Sequence, residues 1–226
     1  MNKEKIKNLI GNQCSIINYP LLVNSYGRSG STVLTKSIIK NINKAKISPL
    51  KKIAYNSISR SAWNLEKTKL KNGIVYKTHD YPPKKDFKNE IRMLYTYANP
   101  VDVVLSLLRL FNERGEEWIK EHYDHLKVPY KNFKKIIEED DLKMEKHLNR
   151  WLKEDRIPIA FIKYESMWGH QKDISDFLGC EIKLPPYEER KAINNTNKKL
   201  KQRLEQTYGD FRERTYNLKP FFTINN

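Results

Sequence analysis

The sequence predicts an α/β sandwich of three layers with a mostly parallel central sheet, and three observations carry that expectation. Short apolar runs recur along the chain at Tyr19–Ser25, Ile74–Lys77, Ile91–Ala98 and Ile157–Ile162. Segments with helical spacing separate them, and strand alternating with helix is the pattern of a sheet covered on both faces. The chain of 226 residues also fits a single domain, since domains run to roughly 50–250 residues. We read 1–226 as one domain, with 1–17 as an N-terminal extension. In such a sheet, ligands bind beyond the carboxyl ends of the strands.

The elements follow in order. Tyr19–Ser25 leads into YGRSGST, where Gly27 and Gly30 permit a tight turn, and then into VLTKSIIKNI, whose Val33, Leu34, Ile38 and Ile39 roughly keep helical spacing. Ile74–Lys77 and Ile91–Ala98 are the next strands. Asn99-Pro100 punctuates the chain before Val101, Val104, Leu105, Leu108 and Phe111, a helical stripe whose first turn can begin at Pro100. Lys131–Asp155 reads as helical throughout, with Met144, Leu148, Trp151 and Leu152 inward and the acidic cluster Glu138–Asp141 in solvent. Ile157–Ile162 is a fourth strand, and the helix marked by Ile174, Phe177 and Leu178 ends at Gly179. Lys183–Pro186 is linker-like and precedes a highly basic C-terminal segment.

Composition narrows the function. Hydrophobic residues make up 38% and aromatics 11%, enough to build a core and to exclude disorder for most of the chain. Two cysteines, Cys14 and Cys180, supply neither a disulfide framework nor a zinc cluster and suit a reducing compartment. No apolar run approaches the roughly 20 residues that span a bilayer, and the N-terminus lacks the apolar region of a signal peptide. A cytoplasmic protein without a membrane span is expected. The formal net charge of +16 favours a polyanion or a phosphorylated ligand. Abundant Lys, Asn and Ile also mark a compositional bias that raises Lys everywhere, so charge alone does not make a nucleic-acid partner the preferred reading.

The chemistry concentrates at Gly27–Thr32. A strand that ends in a glycine-containing loop opening a helix directs several N–H groups and a helix N-terminus at one point, which makes an anion site. This loop is not a Walker A sequence, because two residues separate its glycines and Ser31 follows the second.

Three further segments follow in order. SYGRSGSTVL at 25–34, YKTHDYP at 76–82, YANPVDVVLSLLRL at 97–110 and IKYESM at 162–167 together resemble the sulfotransferases that use 3'-phosphoadenosine 5'-phosphosulfate, PAPS. That family carries a loop of the kind S-[YF]-P-[KR]-S-G-[ST]-T, then K-T-H, R-N-P-x-D-V-x-x-S and Y-E-D. The resemblance covers roughly residues 19–180. It implies the P-loop-like sulfotransferase fold, PAPS as co-substrate and no metal.

Carried over by position, the resemblance places Arg28 against the phosphosulfate bridge, with Gly27, Ser29, Gly30, Ser31 and Thr32 around the 5'-phosphate. His79 falls at the catalytic base, with Lys77 beside it leaning toward the sulfuryl group. On a strand those two share one face, and imidazole takes a proton near neutral pH. Ser106 matches a 3'-phosphate ligand, but Ala98 stands where the family has Arg, so Arg190 and Lys191 are expected to supply that charge. Val33 replaces a Trp, which shifts adenine packing toward Tyr164.

His122, His125, His147 and His170 have no such context, and His122 with His125 read as a solvated helix face. The acceptor is expected to be a small molecule or carbohydrate bearing a hydroxyl or amine, bound along Ile47–Leu70 and Glu113–Tyr130, where Trp63, Trp118 and Tyr123 either stack on it or pack in the core. The rival readings are a small kinase with a divergent phosphate loop, which would need Mg²⁺, and a basic nucleic-acid-binding protein without catalysis.

Overall fold

The four apolar runs all form strands, each shorter than its run: β1 (Leu21–Asn24), β3 (Val75–Lys77), β4 (Arg92–Tyr97) and β5 (Ile159–Lys163). A computed structural model describes residues 13–44, 50–87, 90–188 and 197–225. Its helices are α1 (Ser31–Ile42), α2 (Leu50–Ile58), α3 (Pro100–Arg114), α4 (Glu116–His125), α5 (Met144–Leu152), α6 (Gln171–Leu178) and α7 (Lys198–Asn217). Two further strands, β2 (Ser59–Ser61) and β6 (Phe221–Ile224), complete a sheet in the order β2-β3-β1-β4-β5-β6. Neighbours from β2 to β5 pair in parallel, while β6 runs antiparallel on β5.

Alternation along the strands divides the core into two layers. Leu21, Val23, Val75, Leu94 and Ala160 pack with Leu34, Ile38 and Ile42 of α1 and Ile174 and Leu178 of α6. Leu22, Tyr76, Met93, Tyr95 and Phe161 face the other way, against α3, α5 and α7. Successive side chains of a strand point to opposite faces, so a sheet buried on both sides reads as continuously apolar. The helix ends follow local chemistry. Asn99 caps α3 through its side chain, which accepts from Val101 N at 3.1 Å, and Pro100 fills the first turn. Gly179 closes α6 with φ +67°.

Lys131–Asp155 departs from expectation. Instead of one helix it forms a 3₁₀ turn, Phe133–Ile137, and then α5. Lys143 takes φ +55°, and the Asp140 carboxylate accepts from Met144 N and Glu145 N at 3.0 Å, which starts a new helix there. The Tyr208 hydroxyl of α7 lies 2.7 Å from Ile136 O and 2.8 Å from Glu139 O, holding the preceding turn. Nor is the acidic cluster wholly solvated: Asp141 is buried and accepts from Tyr123 Oη at 2.8 Å.

The C-terminal segment, to which the sequence assigned no helix or strand, supplies the 20-residue helix α7 and the edge strand β6. Of the expected N-terminal extension, residues 1–12 lie outside the described residues. Residues 14–16 are tied to the end of α1 by Ile16 N→Ile42 O at 3.0 Å and Lys44 N→Cys14 O at 2.7 Å. Among the described residues no helix is long and apolar enough to cross a membrane.

Candidate active site

β1 lies between β3 and β4, so the chains leaving their carboxyl ends diverge and open a crevice at that edge. The loop Ser25–Gly30 forms its floor. Gly27, Arg28 and Gly30 all have left-handed backbones, with φ of +88°, +51° and +86°. Polar side chains hold this shape: Ser25 Oγ accepts from Gly27 N at 3.1 Å and lies 3.1 Å from Ser31 Oγ, and Asn24 Oδ1 accepts from Ser25 N at 2.7 Å.

Close approach also demands the glycines. A Cβ on Gly27 would meet the His122 ring at 2.4 Å, and one on Gly30 would meet Tyr164 Cδ2 at 2.2 Å. α1 starts at Ser31 with no side-chain cap and no acidic residue in its first turn. Its N-terminal N–H groups therefore face the crevice as an anion site.

A cavity of about 480 Å³ sits above the loop, within the roughly 300–1,000 Å³ of small-ligand sites. The structure brings Arg28, Gly30, Ser31, Thr32, Lys77, His79, Ser106 and Tyr164 to its walls. Gly27 and Ser29 do not line it. Ser29 is buried, and its hydroxyl donates to Thr96 O at 2.9 Å, so that side chain anchors the loop to β4 rather than cradling a ligand. Arg190 and Lys191 lie outside the described residues.

His79 is fixed by its Nδ1–H, which donates to Ser25 O at 2.7 Å and leaves Nε2 as the unprotonated nitrogen. Burial, reinforced by His122 and Lys77, holds its pKa well below the usual 6.5, so the ring is neutral and Nε2 keeps its lone pair. Behind it, His147 Nε2–H points at His79 O (3.0 Å) and Asp80 O (3.1 Å) while Nδ1 accepts from Tyr95 Oη at 2.8 Å. Trp151 Nε1 also donates to Asp80 O at 3.0 Å. These bonds fix the chain as it leaves β3. Lys77 Nζ donates to Thr32 Oγ1 at 2.8 Å, and its pKa is lowered by burial, then by Arg28 and Lys36. Arg28 Nε donates to Ser106 Oγ at 3.1 Å.

Two residue groups escaped the sequence reading. His122 and His125 are not a solvated face: His122 is buried, both line the cavity, and Trp63 covers His125 with ring centroids 4.0 Å apart. Trp63 also stacks on His79 at 5.4 Å and Trp118 on His122 at 5.7 Å, so these two indoles belong to the cavity, whereas Tyr123 is a core residue. Arg109, one helical turn beyond Ser106, also lines the cavity and pairs with Glu113 at 2.5 Å. Its signal was the i, i+3 spacing from Ser106. Ala98 itself is buried, and its N–H donates to Tyr26 Oη at 2.8 Å. Among the described residues, no group of three or more His, Cys, Asp or Glu is placed to hold a metal ion.

The family model of the sulfotransferase domain matches residues 19–214. No curated protein matches the sequence significantly. Among solved structures, mouse sulfotransferase SULT7A1 complexed with PAP is similar at 14% identity and a TM-score of 0.44, over 93% of this chain and 70% of that one.

Proposed function

This chain belongs to the sulfotransferase domain family, and from that premise we propose that it moves a sulfuryl group from PAPS to a hydroxyl or amine of a small-molecule or carbohydrate acceptor by in-line displacement. The observation that carries this reading is the orientation of His79: Nδ1–H is committed to Ser25 O, and the neutral ring lines the same cavity as Lys77, Arg28 and the start of α1. PAPS supplies the activated sulfuryl group and a 5'-phosphate leaving group. The residues present fit such a donor. An uncapped helix N-terminus and a Lys77 whose charge is disfavoured by burial and by Arg28 both gain from an anion placed between them.

In this reading His79 Nε2 takes the acceptor's proton as an acceptor lone pair forms the new bond to sulfur. The bond from sulfur to the bridging oxygen breaks, and its electron pair stays on the 5'-phosphate. Arg28, Lys77 and the N–H groups of α1 face that developing charge, so they act on the transition state more than on the ground state. Ser106, Arg190 and Lys191 remain the proposed 3'-phosphate ligands, joined by Arg109 on the same wall as Ser106, and Tyr164 packs the base.

Incubating the purified protein with sulfur-labelled PAPS, EDTA and a panel of carbohydrate, phenol, lipid and peptide acceptors tests the reading. Label should pass to an acceptor without added metal, and calorimetry should show tighter binding of adenosine 3',5'-bisphosphate, PAP, than of ATP. Equal or tighter ATP binding, with no sulfur label leaving PAPS but phosphorus label passing from γ-labelled ATP in a parallel incubation with Mg²⁺, would replace it with a kinase.

A further inference from the structure

One carboxylate beside the site is buried without a cation to pair it. Asp80, the residue after His79, is 9% exposed and makes no ion pair among the described residues. Backbone N–H groups alone satisfy its side chain: Oδ1 accepts from Tyr81 N at 3.0 Å and Oδ2 from Leu65 N at 2.7 Å. The second bond crosses to another segment, the one that carries Trp63. That segment is keyed to β3 and the residues just beyond it on both sides of the indole, by Ala62 N→Lys77 O at 2.8 Å before it and by Leu65 N→Asp80 Oδ2 after it. The indole itself makes no hydrogen bond among the described residues, so these backbone ties set where it stands. It stands in the cavity wall, stacked on the His79 ring with centroids 5.4 Å apart and on His125 at 4.0 Å. Asp80 O, meanwhile, accepts from Asn24 Nδ2 at 3.1 Å, and Asn24 Oδ1 holds Ser25 N at the start of the phosphate loop. One residue thus keeps the phosphate loop, the base and the indole wall in register.

We propose that Asp80 is a positioning residue: its carboxylate seats Trp63 against His79, and that indole sets the direction from which the acceptor reaches the base. The inference rests on the sulfuryl-transfer reading above. A charged side chain explains what a neutral one would not. Hydrogen bonds to a carboxylate are shorter and about twice as strong as neutral ones, and a buried carboxylate is costly unless such bonds are made, so the tie to Leu65 is stiff. Stiffness matters for the chemistry. In-line displacement needs the acceptor atom, sulfur and the bridging oxygen nearly collinear, and a misplacement of about 1 Å can cost roughly 100-fold in rate. Nδ1–H tethers His79 at one corner only, and the stacked indole limits how the ring can tilt.

The test is a double-mutant cycle on the full chain. Asp80→Ala removes both acceptor oxygens, Asp80→Asn keeps one, and Trp63→Leu removes the indole but leaves an apolar side chain. With sulfur-labelled PAPS and the acceptor of the panel that takes most label, Asp80→Ala should lower the single-turnover rate about 10- to 100-fold. Asp80→Asn should lose less, and neither variant should change PAP affinity or KM for PAPS. In the Trp63→Leu background, Asp80→Ala should cost no more than about twofold, because the residue through which it acts is gone. NMR gives a readout without turnover: the His79 imidazole protons, displaced by the ring current of the stacked indole, should move in Asp80→Ala toward their positions in Trp63→Leu. Circular dichroism confirms that each variant folds, and if Asp80→Ala does not, Asp80→Asn carries the same cycle to the same outcomes. An unaltered rate, a loss that persists in full in the Trp63→Leu background, imidazole resonances that stay in place, or a weakened PAP affinity would each overturn the role of Asp80. Absence of transfer from PAPS to every acceptor in wild type, with no PAP binding, would overturn the sulfuryl-transfer reading instead, while the resonances still report on the tie between Asp80 and Trp63.

Discussion

The role of base proposed for His79 follows from its other nitrogen being already spent. With Nδ1–H on Ser25 O, the lone pair is confined to Nε2, and burial keeps the ring from charging. His79→Ala should therefore lower turnover by about two to four orders of magnitude and leave PAP affinity within a small factor, as measured by single-turnover rates and calorimetry. Near-normal turnover in that variant would assign the proton to another group. Arg28 behaves differently, since its guanidinium is held by Ser106 across the cavity floor. Arg28→Ala should reduce kcat more than it raises KM for PAPS, and Arg28→Lys should keep much of the activity; a pure KM effect would make Arg28 a ground-state ligand. These residues were legible because a loop, a strand end and a helix each showed its motif. His122 and His125 were not. They sit in EEWIKEHYDH, a polar stretch that reads as a wetted helix, and what buries them is Trp63, some sixty positions earlier in the chain, together with the close approach of Gly27.

At the scale of elements, the loop before α1 is the least forgiving part of the fold. Gly30 combines φ +86° with a Cβ position 2.2 Å from Tyr164. Gly30→Ala should cost about 1–3 kcal/mol of stability by strain alone and should displace Tyr164 from the cavity wall. Gly209, inside α7, is the natural control. A Cβ there meets nothing within 4 Å, so Gly209→Ala should stabilise by about 0.5–1 kcal/mol through helix propensity. Denaturant unfolding compares the two, and equal effects would show that the loop conformation is not under the constraint described. The four apolar strands and α3 were readable because their signals are local: apolar runs, Asn99-Pro100 and period-3.6 stripes. The break between Ile137 and Met144 was not, because it depends on Asp140 capping a new helix and on Tyr208 reaching in from α7. Nor was β6, which adds an antiparallel edge to a sheet that the sequence had shown only as parallel alternation.

Over the whole molecule, the net charge of +16 was the most visible number and the least informative, since it says nothing of where charge is absent. The site depends on imidazoles that are neutral. His79, His122 and His147 are buried, with His147 pushed down to about 4, His122 to about 3 and His79 well below 6.5, in each case chiefly by desolvation. In the unfolded chain each returns to about 6.5. Below that pH the unfolded state binds protons that the folded state refuses, so stability falls as pH falls. The loss begins near pH 6.5 and continues down to the folded values, and each such histidine adds up to about 1.4 kcal/mol per pH unit to the slope. Between pH 6.5 and about 4.5 most carboxylates are still ionised, which isolates the histidine contribution. Urea unfolding across that window should show stability dropping steeply, at up to about 4 kcal/mol per pH unit with all three titrating. His147→Gln should make the curve shallower by about a third even if it lowers the plateau at pH 7 through loss of the bonds to Tyr95 and His79. A stability that stayed level down to pH 4.5 would mean that these rings charge freely in the folded protein, and the neutral base proposed at His79 would then lose its physical basis.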